Sequence, residues 1–127
     1  AFDKIRNHFG VNRIAQAAAL AALEDRDWLA HVIGAVNHAK VRIGEIAAAN
    51  GLTALPSATN FVAVDCGRDG AFAKAVLDGL IARDLFVRKP WLAPMDRCIR
   101  LSAGTDADLD LLAAAMPGAL ADARAKG

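Results

Sequence analysis

The chain has 127 residues, the size of one ordinary domain, and 55% of them are hydrophobic, which supplies apolar surface for a real core and argues against a disordered segment. Lysine and arginine number 15 against 14 aspartates and glutamates, a formal net charge of +1, so no global field favours nucleic acid or an anionic membrane. Neither is expected as a partner.

The first ten residues, AFDKIRNHFG, carry no apolar signal core. The apolar run from Ile14 to Leu23 is too short to cross a bilayer and stops at Glu24-Asp25-Arg26-Asp27, so the expected location is the cytoplasm. The sequence starts without methionine and reads as a piece of something longer.

From Val11 to Leu23 the text VNRIAQAAALAAL predicts a helix capped by Asn12, with apolar positions on nearly every side. Asp27 is expected to cap a second helix from Trp28 to about Asn50, closed by Gly51. Its apolar stripe is Trp28, Val32, Ile33, Val36, Ala39, Ile43, Ile46 and Ala47. Such a helix runs ~35 Å, long for a domain of this size.

After Pro56 the period changes. Ala58 to Asp65, ATNFVAVD, reads as a strand, followed by a Cys-Gly-Arg-Asp-Gly turn. Gly70 to Arg83 reads as an amphipathic helix with Phe72, Val76, Leu77, Leu80 and Ile81 inward. Leu85 to Arg88 reads as a short strand, and Lys89 to Arg97, with two prolines, as a loop. CIRLSA, from Cys98, is a further strand, and Thr105 with Asp108 makes a capping box for a last helix that Pro117 ends or kinks. The order predicts an α/β (α+β) fold: a small mixed or antiparallel sheet of three to four strands with helices on one face, preceded by an extra helix and a long one.

Common chemical signatures are missing. There is no GxGxxG, P-loop or HExxH. Of the three histidines, His8, His31 and His38, the latter two lie ~10 Å apart along one helix, too far to clip a metal alone, and no carboxylate cluster offers further ligands, so no metal site is expected. Cys66 reads as a small core residue and Cys98 as a second thiol, in no ligand spacing, with a disulfide left open. Trp28 and Trp91 read as packing residues.

One residue breaks the strand pattern. Alternation puts Ile99, Leu101 and Ala103 on one side of CIRLSA, and Cys98, Arg100 and Ser102 on the other. Arg100 therefore stands off the core, and by itself such an arginine reads as a solvated face, as does Arg88.

The ordered segments PSATNFVAVD, LFVR and CIRLSAGT, each in its place between helices, resemble the C-terminal small domain of fold-type-I pyridoxal-phosphate aminotransferases. The likeness is closest to the histidinol-phosphate aminotransferase group, whose strands show P-S-x-T-N-[FY], an arginine strand and [IL]-R-[IL]-[ST]-x-G-T. FGVNRIAQAAALAALED resembles the stretch that leads from the large domain to the interdomain helix. The resemblance implies that residues 1–26 are a remnant of the large domain and residues 27–127 the small domain.

It also implies roles. Arg100 would grip a substrate α-carboxylate, Arg88 would face a distal substrate phosphate, and Asn60 would sit at the domain junction near the site. Asp84-Leu85 stands where the family has Gly-Ile. The family's Schiff-base lysine follows a serine; Lys4, Lys40, Lys74, Lys89 and Lys126 do not, and tyrosine is absent. The resemblance therefore places pyridoxal 5'-phosphate in a longer parent and not on this chain, which alone would be inactive. The implied partners are an amino acid, a 2-oxo acid, the rest of the same chain and a second copy in a homo-oligomer. An amino-acid phosphate decarboxylase on the same scaffold and a free-standing ligand-binding or regulatory domain are the alternatives.

Overall fold

A computed structural model describes Lys4 and residues 10–126; His8 and Phe9 lie outside the described residues. In chain order the elements are α1 (Arg13–Glu24), α2 (Arg26–Ala49), β1 (Thr53–Ala54), β2 (Phe61–Asp65), α3 (Gly70–Ile81), a single 3-10 turn (Met95–Arg97), β3 (Cys98–Ser102) and α4 (Asp106–Ala125). Two compact units divide inside α2, Ala1–Gly34 and Ala35–Gly127.

In the first unit, Asn12 caps α1 through its side chain, which accepts from the Ala15 N–H at 2.9 Å. No residue of α1 is buried. Asp25, rather than Asp27, accepts from the Trp28 N–H at 3.0 Å, so α2 starts two residues earlier than expected. Both aspartates suit a first turn, and only the chain path selects between them. Trp28 is 62% exposed and stacks on His31 with ring centroids 5.1 Å apart, so it is not the packing residue its apolar stripe suggested. Val32 and Ile33 are also exposed. Periodicity marks an apolar face but carries no information on what covers it.

The second unit holds the core. In β2, Val62 and Val64 are buried, and in β3, Ile99 and Leu101, all on one face of a three-stranded antiparallel sheet ordered β1-β2-β3. They cluster with Ile43 and Ile46 of α2, Val76 and Leu80 of α3, and Met116 and Leu120 of α4. Three helices thus close one face and leave the other to the residues in between. Gly51 ends α2 at φ 72°, with the Leu52 N–H donating to the Ala47 carbonyl at 2.9 Å and the Gly51 N–H to Ala48 at 3.0 Å, a Schellman closure. β1 is a two-residue edge strand pairing Thr53 with Asp65 and Ala54 with Val64, too short to carry a period.

Two further expectations change. Ile81 is 46% exposed, whereas Ala73 and Gly79 join the buried face of α3. That face is set by close approach to α4: a Cβ on Gly79 would lie 3.0 Å from the Cα of Ala119. Pro117 neither ends nor visibly divides α4, which continues to Ala125. An interior proline costs ~3 kcal/mol, and burial of Met116, Ala119, Leu120 and Ala123 on both sides of it offsets that cost. The capping box at Thr105 and Asp108 forms as expected. Arg42 of α2 reaches Asp106 at 3.1 Å and Asp110 at 2.7 Å on α4, and His38 reaches Asp106 at 3.2 Å. The Arg42 and His38 hydrogen bonds hold the Asp106 carboxyl below its ordinary range.

Candidate functional site

The open face of the sheet is formed by the alternate residues of β2 and β3. Phe61 pairs with Ser102, Ala63 with Arg100, and Asp65 with Cys98. In an antiparallel ladder, directly paired residues share a face, so these six stand together, away from the helices. Arg100 is half-buried there.

Residues 85–88 do not form the expected strand. Arg88 alone bridges to Arg100, with its N–H donating to the Arg100 carbonyl at 3.3 Å and the Arg100 N–H donating to the Arg88 carbonyl at 2.6 Å. The preceding turn explains the brevity. The Leu85 N–H closes α3 on the Leu80 carbonyl at 3.0 Å and Asp84 takes φ 62°, so the chain is still turning at the point where pairing would start. The single bridge nevertheless sets Arg88 beside Arg100 on the same face. Arg88 is exposed.

Asn60 lies at the start of β2, its carbonyl accepting from the Ala103 N–H at 2.8 Å. It is exposed, and its backbone, not its amide, makes that link. The segment before it is held by hydroxyls. The Thr59 N–H donates to Ser57 Oγ at 3.1 Å, and both Ser57 Oγ and Thr59 Oγ1 donate to the Phe61 carbonyl. Lys40 of α2 donates to the Ser57 carbonyl at 3.2 Å. The serine and threonine hydroxyls of PSATN thus brace the turn that leads into the Phe61 backbone.

Arg100 has an unusual environment. Its guanidinium lies 4.9 Å from the centroid of the Phe61 ring. Its Nε is covered and has no hydrogen-bond partner among the described residues. A covered donor left unmade costs roughly 1–3 kcal/mol, so the side chain keeps this position at some expense. The acid on this face, Asp65, is committed elsewhere: it accepts from the Gly67 N–H at 2.8 Å and from Arg97 at 2.9 Å. Burial alone would raise the Asp65 carboxyl, and the Gly67 and Arg97 contacts together bring it below its ordinary range. The face can therefore receive an anion. Among the described residues of β2 and β3, its one carboxylate is already paired.

Neither cysteine adds a nucleophile. Both are free thiols and buried. Burial foremost, then Cys98 nearby, pushes the Cys66 thiol up to about 11, so it is protonated and inert at neutral pH. Trp91 is 74% exposed, with Lys89 Nζ 5.5 Å from its ring centroid, so it too departs from the packing role expected of it.

The family resemblance implied Arg100, Arg88 and Asn60 as a set; the sheet pairs the backbones of the first two, and Asn60 lies one residue before the aromatic under Arg100. Phe61 was legible only as a strand former; its contact depends on register, which no local signal carries.

No family model matches the sequence. Individual relatives do. The histidinol-phosphate aminotransferase of Geotalea daltonii is 33% identical over 111 residues, 87% of this chain and 31% of the relative. Histidinol-phosphate aminotransferase 1 of Mesorhizobium japonicum is 34% identical over 115 residues, 90% of this chain and 30% of the relative. The crystal structure of histidinol-phosphate aminotransferase from Sinorhizobium meliloti in complex with pyridoxal-5'-phosphate superposes with a TM-score of 0.87 at 53% identity. The chain is homologous to part of the histidinol-phosphate aminotransferases. It is covered over 99% of its length by the Sinorhizobium protein but accounts for 34% of that chain, and it spans about 30% of the curated relatives it matches. The resemblance seen in PSATNFVAVD and CIRLSAGT is thereby borne out at the level of fold and relatives. Among the described residues, no helix is long and apolar enough to cross a membrane.

Proposed function

We propose that residues 27–127 serve as the small domain of a pyridoxal-phosphate-dependent aminotransferase, with residues 1–26 leading into it from the large domain. In this reading Arg100 holds the carboxylate of an amino acid or 2-oxo acid, and Arg88 beside it takes a second anionic group, a phosphate where the substrate carries one. The observation that supports it most is the half-buried Arg100 side chain on the open sheet face, which has no ion pair among the described residues. A planar guanidinium gives two parallel, charge-assisted hydrogen bonds to a carboxylate, which lysine cannot copy. Fixing the carboxylate fixes the Cα bonds against the reacting group.

The cofactor acts as an electron sink once bound. The residues here do not make its seat: no lysine follows a serine, and the chain has no tyrosine to complement the ring. The contribution assigned to this chain is therefore substrate orientation. The same reading has Asn60 shaping the junction through its backbone, and the parent working as a cytoplasmic homo-oligomer. Exposed Ile14, Leu20, Leu23 and Trp28 support association with further protein surface.

The experiment is an assay of the full-length protein with histidinol phosphate and 2-oxoglutarate. Glutamate formation is expected. Release of CO₂ from an amino-acid phosphate without glutamate formation would replace the reading by the decarboxylase alternative, and a full-length protein that binds no pyridoxal phosphate would overturn both.

A further inference from the structure

We propose that Phe61 is the positioning residue of the site: its ring face sets the plane of the Arg100 guanidinium while leaving the N–H edge free for a carboxylate. The inference rests on the reading of Arg100 as carboxylate holder and adds the residue that aims it.

Three observations converge. Register puts Ala63, with a single methyl, directly opposite Arg100, so the direct cross-strand partner cannot hold the long side chain. Phe61, on the same face one pair along, is the diagonal neighbour within reach, and the guanidinium carbon is found 4.9 Å from its ring centroid. No ion pair to Arg100 forms among the described residues, and its Nε is covered without a partner. The aromatic ring is thus the side chain that visibly supports the cation.

The choice of a ring has a chemical reason. A carboxylate support would neutralise the charge and occupy the donors that a ligand needs. A ring attracts the cation through its negative face and uses no N–H at all. The guanidinium is oriented yet unsatisfied, which is the state from which a bidentate contact gains most. Phe61 is itself fixed from behind, its carbonyl taking the hydroxyls of Ser57 and Thr59. The PSATN turn, the ring and the arginine form one chain of support that ends at the ligand.

The test uses the full-length enzyme with 2-oxoglutarate as acceptor, comparing Phe61→Leu, Phe61→Tyr, Arg100→Ala and the Phe61→Leu/Arg100→Ala double variant. Phe61→Leu is expected to raise KM for the acceptor by roughly 3- to 30-fold with a smaller change in kcat, as loss of a cation–ring contact implies. Phe61→Tyr, which keeps the ring, should restore the native KM. In the Arg100→Ala background, Phe61→Leu should change nothing further, because the ring acts through the arginine. If Phe61→Leu lowers the melting temperature too far to assay, Phe61→Met keeps the side-chain length without the ring and is read in the same way. An unchanged KM in Phe61→Leu, or effects additive with Arg100→Ala, overturns this inference alone. Arg100→Ala with native KM overturns the carboxylate reading and this inference together.

Discussion

Replacing Arg100 by alanine should separate stability from function. In the ligand-free protein the side chain has two opposing terms. Contact with the Phe61 ring at 4.9 Å stabilises, by about 0.5–2 kcal/mol for such pairs. The covered Nε without a partner destabilises, by about 1–3 kcal/mol for a buried donor left unmade. The substitution removes both, so the change in unfolding free energy should lie between a fall of about 1 kcal/mol and a rise of about 2.5 kcal/mol, with Tm falling by less than ~8 °C if it falls at all.

With ligand the balance is one-sided. Loss of a charge-assisted two-point contact is worth about 2–4 kcal/mol, or roughly 30- to 700-fold in kcat/KM. Arg100→Lys should recover only a small part, since an ammonium cannot reproduce the fork. The measurements are steady-state kinetics on the full-length enzyme and calorimetric melting of the same variants. The reasoning is refuted if Arg100→Ala lowers Tm sharply while kcat/KM stays within threefold of native, because Arg100 would then be a structural cation.

Other substitutions probe the frame around the site. Asp84 sits at φ 62°, a backbone region that glycine enters freely, so Asp84→Gly should stabilise by about 0.5–1 kcal/mol in a denaturant titration; a loss of stability would show that the aspartate side chain repays its strain. Gly79→Ala places a Cβ 3.0 Å from both Cα and Cβ of Ala119. The gain in helix propensity of ~1 kcal/mol is outweighed by overpacking of about 1–3 kcal/mol, so Tm should fall, and a rise would mean that α4 yields easily. Cys66 holds its proton to about 11 against an ordinary 9.0. Its folded pKa is raised, so the stability it carries is fully present below pH 9 and is lost as pH rises toward 11, by about 2 kcal/mol. Unfolding titrations at pH 8 and pH 11 should show that loss in the native protein and not in Cys66→Ala.

Features closed by local chemistry were legible in the sequence. Asn12, Gly51 and the Thr105–Asp108 pair each satisfy a helix end within a few residues, and each does so in the structure. Features that depend on distant partners were not. Leu85 to Arg88 has strand composition, yet only Arg88 meets β3, because Asp84 and Leu85 are spent on closing α3. Pro117 reads as a helix end until the buried residues on both sides of it are counted. The stripe of α2 predicts burial for Trp28, Val32 and Ile33 as much as for Ala39 and Ile43, and only the latter two are buried. In the site, the alternation of CIRLSA placed Arg100 off the core correctly, whereas the Phe61 contact waited on register.

The way the two arginines are brought together bears on their use. The two residues are joined by their backbones alone: two hydrogen bonds, at 2.6 and 3.3 Å, link Arg88 to Arg100, and neither involves a guanidinium. Asp65, the acid that could screen them, is already paired with Arg97. The connection after α3 therefore needs only one bridge to do its work, and a longer strand would add nothing to it. The bridge sets two cationic residues on one face, so a dianionic ligand that meets both should gain more than a monoanionic one that meets Arg100 alone. Salt should weaken that preference, since screening acts first on the exposed Arg88 and much less on the half-buried Arg100.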